Sequence, residues 1–147
     1  PGAKPSVKNA FLSEDERARA QTLARAKVES RLWTYYAGES SGTVTGYAYF
    51  DRALVRTQPA TLIVAVSTAG ALSFVEIIAF DEPEDYLPRK RWLELFQGKT
   101  LSDDLRLRGA IKNVAGASLT SETVVSAVRR CLAVHAILHP PKEAEAR

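Results

Sequence analysis

Thr61-Leu62-Ile63-Val64-Ala65-Val66-Ser67-Thr68-Ala69-Gly70-Ala71-Leu72-Ser73-Phe74-Val75-Glu76-Ile77-Ile78-Ala79-Phe80 decides the fold. Residues 61–67 form an apolar, β-branched run and predict a buried strand. Thr68-Ala69-Gly70 predicts a turn, and residues 71–80 return. Strands joined by so short a turn run antiparallel. Upstream the pattern repeats. Residues 32–37 are rich in aromatics, 38–42 predict a turn, and 43–50 alternate. Val44, Gly46, Ala48 and Phe50 take one face of that strand, Tyr47 and Tyr49 the other. This is a second hairpin.

Working outward, Ser13 and Glu16 make a capping box, and Glu14, Asp15 and Glu16 suit a helix N-terminus. The helix body over 17–27 is rich in Ala and Arg, with Leu23 and Val28 as sparse apolar anchors. It should lie on the domain surface or against a partner. Residues 1–10 hold Pro, Gly and Lys without periodicity, which predicts a loose arm. Downstream, 81–88 is an acidic loop broken by proline, and 89–97 predicts a short helix ended by Gly98. Residues 101–108 fit a helical turn or a strand. The apolar segment 111–114 leads to a last helix over 122–138, with Val124, Val125, Val128, Leu132 and Leu138 toward the sheet. Pro140-Pro141 stops it, and 142–147 is polar. The expected fold is α+β: an antiparallel sheet of two hairpins flanked by an N-terminal helix, a short middle helix and a long C-terminal helix. A single domain should span 11–139, between the arm and a tail over 140–147.

Composition narrows the function. At 147 residues, 46% hydrophobic and 25% charged, the chain has the makeup of one globular domain with a sizeable core. The net charge of +3 is mild, and Lys and Arg are interleaved with Asp and Glu, which argues against a nucleic-acid surface. One cysteine, Cys131, allows no intrachain disulfide and no zinc ribbon. No apolar run reaches the length of a membrane span. The chain has no methionine and begins at Pro1, as a trimmed or processed form would.

The chemistry concentrates in Val114-Ala115-Gly116-Ala117-Ser118-Leu119-Thr120-Ser121-Glu122. Small residues let the backbone approach a ligand, three hydroxyls are on offer, and Thr120 or Ser121 would cap a helix starting at Glu122. Free N–H groups and the helix dipole favour an anion there, which fits a phosphate. A capped loop with no ligand fits the same residues.

The run from Ala115 to Ser121 resembles the flavinylation motif of the FMN-binding domain family, found in flavin-carrying subunits of the sodium-pumping quinone reductase and the Rnf complex and in many small exported proteins. The family pattern reads Asp-x-x-Ser/Thr-Gly-Ala-Ser/Thr-x-Thr/Ser, and its final hydroxyl residue carries FMN through a phosphoester. Gly116, Ala117, Ser118 and Thr120 match it, so the resemblance makes Thr120 the attachment residue. Phe80-Asp81-Glu82-Pro83, Trp92-Leu93-Glu94-Leu95-Phe96-Gln97-Gly98-Lys99 and the helix that follows the motif are similar to the family too, so the likeness covers about residues 32–138. Ala115 stands where Ser or Thr is usual, and Lys112 where Asp is usual. The family's Asp is thought to matter to the transferase that installs the flavin.

The resemblance implies an electron carrier more than a turnover enzyme. FMN would be bound by Thr120, Gly116, Ala117, Ser118, Leu119 and Ser121. Lys112 could pair with phosphate or reduced flavin, and Tyr86, Leu87 and Trp92 could wall the ring. It further implies an extracytoplasmic site, such as the periplasm, a redox partner protein through which a membrane complex could be reached, and an FAD-consuming flavin transferase during maturation. Noncovalent FMN binding, or a non-redox docking or sensor module without flavin, are the alternatives that Lys112 and Ala115 leave open. Cys131, His135 and His139 fall at i, i+4 and i+8, but three residues over two turns converge poorly on one ion, so no metal is expected. No nucleophile–base motif marks a hydrolase.

Overall fold

The computed structural model describes residues 4–55, 57–83, 87–102, 105–106, 111 and 118–140. Five strands run in the order β1 (Lys4–Phe11), β2 (Leu32–Ser40), β3 (Thr43–Leu54), β4 (Pro59–Ser67) and β5 (Leu72–Phe80). Each pairs antiparallel with its neighbour, so the sheet is a meander in sequence order. Both expected hairpins are present. The first is tighter than expected: Ser40 pairs with Thr43, and Ser41 and Gly42 both take positive φ (54° and 77°). That two-residue primed turn matches the twist of the flanking strands.

β1 is a correction. Residues 4–11 are not a loose arm but the edge strand, paired from Lys4↔Glu39 to Phe11↔Leu32. An edge strand needs one ladder only, so it tolerates Pro5 and the polar Ser6, Lys8 and Asn9 that hid it. Asn9 Oδ1 accepts from the Thr34 hydroxyl at 2.7 Å, and Leu12 N donates to Arg31 O at 2.7 Å, which fastens the strand at its C-terminal end.

α1 (Glu14–Ala24) follows, with the capping box in place: Ser13 Oγ accepts from Glu16 N, and Glu16 Oε1 accepts from Ser13 N. Leu23 is not its anchor; it is 44% exposed. Ala20 and Ala24 are buried instead, and α1 packs on the last helix. Alanines let two helix backbones come close, so a helix with few large apolar residues still has a tertiary seat. Val28, just beyond, is buried as expected.

After β5, a short helix α2 (Lys90–Leu93) runs into a 3-10 turn over Glu94–Phe96, and Gly98 (φ 82°) ends it. The last helix, α3 (Ser118–Leu138), crosses the inner face of the sheet over β3 and β4. Between them lies the core: Tyr49, Leu62, Val64 and Val66 from the sheet, and Val124, Val128, Cys131 and Leu132 from α3. Each such large side chain contributes about 1.5–3 kcal/mol by burial. α1, β3 and β4 thus all pack on α3, which carries residues 118–122 of the motif at its N-terminal end.

Candidate functional site

α3 begins at Ser118, four residues before the expected start. Thr120 and Ser121 therefore do not cap the helix; they lie inside its first turn. Packing decided this. Thr120, Ser121, Val124 and Val128 are all buried, and the face they share continues into the core. Winding the Ser/Thr run into helix buries that face, which outweighs its preference for a cap.

The Thr120 hydroxyl is the distinctive atom of the site. Thr120 is 0% exposed, and its Oγ1 has no hydrogen-bond partner among the described residues. An unmet buried hydroxyl costs about 1–3 kcal/mol. A Val would fill nearly the same volume without that penalty, so packing alone does not account for a threonine. Around it, the first N–H groups of a 21-residue helix lack intrahelical acceptors.

The other sequence candidates divide. Lys112, Gly116, Ala117 and Tyr86 lie outside the described residues. The backbones of Ser118 and Leu119 open α3. Leu87 is 40% exposed beside the buried Pro88. Trp92 is buried at 5% exposure within the core, its ring edge-on to Phe96 at 5.3 Å between centroids.

Three constellations were not foreseen. Glu82, read as part of an acidic loop broken by proline, is buried, and its Oε2 accepts from Thr57 N at 2.9 Å and Gln58 N at 3.1 Å. It ties the chain leaving β5 to the β3–β4 connection. Arg129 is buried on α3 and donates to four carbonyls: Ala24 and Leu23 at the end of α1, and Ser102 and Leu105. Arg130 Nη2 pairs with Asp51 Oδ2 at 2.8 Å. Only this pair left a signal in the sequence. Asp51 continues the inward series Tyr47, Tyr49, so an acid there needs a partner from the covering helix.

Asp51 and Arg130 border a groove of about 600 Å³ between the end of β3, the chain after α1, and the solvent-side stripe Glu122, Thr123, Ser126 of α3. Trp33 lines it, whereas Thr120 does not. Thr123 Oγ1 donates to Leu54 O at 3.1 Å across one end.

At the far end of α3, His135 Nδ1 lies 2.8 Å from the Tyr49 hydroxyl, and His139 stacks on Tyr47 with centroids 4.3 Å apart. Burial, reinforced by His139, pushes His135 down to about 4, and burial lowers His139 as well. Both are neutral imidazoles at pH 7. Burial pushes the Cys131 thiol well up, so it is an inert core residue. Among the described residues, no three His, Cys, Asp or Glu side chains come together as metal ligands.

No protein-family model matches the chain, and no curated protein matches it in sequence. The fold, however, is similar to the crystal structure of Shewanella oneidensis NqrC. The TM-score is 0.60 at 17% identity, over 97% of this chain and 85% of NqrC. At that identity the likeness shows a shared fold.

Proposed function

We propose that this chain is an FMN-binding electron-transfer domain, with the flavin phosphate at the N-terminal end of α3 and Thr120 as its point of attachment. The observation that carries this reading is the Thr120 hydroxyl: buried, without a partner among the described residues, and in the first turn of a long helix. Support comes from the fold shared with NqrC, a flavin-carrying subunit of the sodium-pumping quinone reductase, and from the match of Gly116, Ala117, Ser118 and Thr120 to the flavinylation pattern.

The residues fit the group. The opening N–H groups and dipole of α3 tolerate the phosphate's negative charge, a single one once the group is esterified to Thr120, better than any other part of the helix. A phosphoester also resolves the orphaned hydroxyl. The ester oxygen carries no proton, so the unmet donor disappears. Thr120 is fully covered, so the surface above it has to open while the ester is installed. When bound, FMN supplies transfer of one or two electrons. The chain's own part is to retain it on a rigid helix, which matters for a protein working outside the cytoplasm, away from a free flavin pool. A redox protein on either side of the transfer and an FAD-consuming transferase complete the proposal. Among the described residues no helix is long and apolar enough to cross a membrane.

The test is intact mass under denaturing conditions, on protein exported from cells that co-express a flavin transferase, beside Thr120→Ala. An added mass of FMN less one water, absent from the variant, is the expected result. Lys112 in place of Asp and Ala115 in place of Ser or Thr favour a second reading, noncovalent FMN. That reading predicts a yellow protein of unmodified mass. A colourless protein that also takes up no added FMN would sink both and leave a docking module.

A further inference from the structure

The sheet has two faces, and among the described residues only one is covered. α3 lies on the face that carries Tyr49, Leu62, Val64 and Val75. The opposite face carries Phe50 (36% exposed), Phe74 (44%) and Ile78 (52%), with Tyr36 edge-on to Phe50 at 5.5 Å. Ile63 of β4 sits between Phe50 and Glu76, its register partners on either side. An antiparallel sheet with one wet face ordinarily alternates apolar-in and polar-out. Here Phe50, Ile63, Phe74 and Ile78 put apolar side chains outward on three adjacent strands, a patch of the kind that marks an interaction surface.

We propose that this face pairs with a second copy of the same chain. Charge selects that occupant. Among the outward residues of β3, β4 and β5 the charged side chains are one cation, Arg52, and one anion, Glu76, and neither is in an ion pair among the described residues. They flank β4: Arg52 pairs in register with Thr61, and Glu76 with Ile63. A two-fold axis running along β4 between two stacked sheets lays β3 of one copy over β5 of the other. Arg52 then faces the partner's Glu76, offset by two residues or about 7 Å along the strand, a span a guanidinium side chain covers. The contact occurs twice, as an isologous interface requires. A face with no net charge gives an acidic or basic partner nothing to select.

Size sets the strength. The two-fold along β4 overlays β3, β4 and β5 alone, and three strands of nine or more residues make a face of roughly 400 Å² at about 3.3 Å per residue and 4.8 Å per strand. Two such faces bury roughly 800 Å², below the range of stable specific interfaces, so the dimer is weak and concentration-dependent.

Sedimentation velocity of the full chain, from about 1 µM to several hundred µM, tests this. The sedimentation coefficient should rise from monomer to dimer across that range. Phe50→Asp, on a central strand, should hold the chain monomeric while its circular dichroism stays native. Arg52→Glu and Glu76→Arg should each weaken association about tenfold, and the two together should restore it. A chain that stays monomeric throughout overturns the proposal and leaves the face to another partner. So does a dimer indifferent to Phe50→Asp, which would be pairing through an edge strand, and so does a charge exchange that fails to restore association.

Discussion

Arg129→Met should be among the most destabilising single substitutions on α3. The guanidinium donates to Ala24 O at 2.6 Å, Ser102 O at 2.6 Å, Leu105 O at 3.0 Å and Leu23 O at 3.2 Å. Methionine fills much of the volume but offers no donor. The carbonyls at the end of α1 then lose their tertiary cap, and Ser102 and Leu105 lose their hold on the helix. A hydrogen bond to a charged group contributes about 1.5–3 kcal/mol, and these are not additive. Local relaxation and entering water return part of the loss. An expected net cost of about 3–5 kcal/mol follows, a large share of a domain's typical 5–15 kcal/mol. Urea denaturation at fixed pH reads this as a fall in midpoint at constant slope. Hydrogen exchange adds a local readout. The amides of Leu105 and Ile111, which donate to Ser102 O and Arg106 O, should exchange faster than those of β4. Arg129→Lys, which keeps a cation but not the fork, should recover less than half. A loss below about 1 kcal/mol, or unchanged exchange at Leu105, would refute the clamp.

Acid should weaken the fold through its buried histidines. His135 falls to about 4 in the folded chain against 6.5 unfolded, so its contribution is complete above 6.5 and is lost as pH drops toward 4. The loss is on the order of 3 kcal/mol, His139 adds in the same direction, and urea midpoints for wild type and His135→Phe at pH 7 and pH 4.5 check it. Glu82→Ala strands the N–H groups of Thr57 and Gln58 and should cost about 1–3 kcal/mol, whereas Glu82→Gln keeps one acceptor and should cost less; thermal midpoints separate them. A double-mutant cycle on Asp51→Asn and Arg130→Met should give a coupling of about 1–2 kcal/mol in urea denaturation, since the pair is largely shielded from solvent.

What was legible in the sequence was local. The hairpins over 32–50 and 61–80, the Ser13–Glu16 capping box and the apolar stripe of the last helix depend on residues a few places apart, and all are present. What was missed depends on distant ones. β1 becomes a strand only because β2, beyond α1, offers it a ladder. Nothing in the sequence set Arg129 apart from the other cations, and its carbonyl partners lie up to 106 residues away. Capping propensity placed the start of α3 at Glu122, but burial of Thr120 and Ser121 moved it to Ser118. The motif itself was legible as a string of small residues and hydroxyls. That Thr120 is buried and unpartnered was not, because only the folded core determines it.

Synthesis order gives the placement of α3 a further consequence. A ribosome finishes the five-stranded meander before it has made any of the helix that covers it. Until residues 118–138 emerge, Tyr49, Leu62 and Val64 have nothing above them, and the nascent sheet is a client for chaperones. The segment that closes the core also carries Thr120. On the proposed reading, a transferase meets its threonine in folded context only in chains that have completed the domain, so flavin loading doubles as a mark of finished assembly.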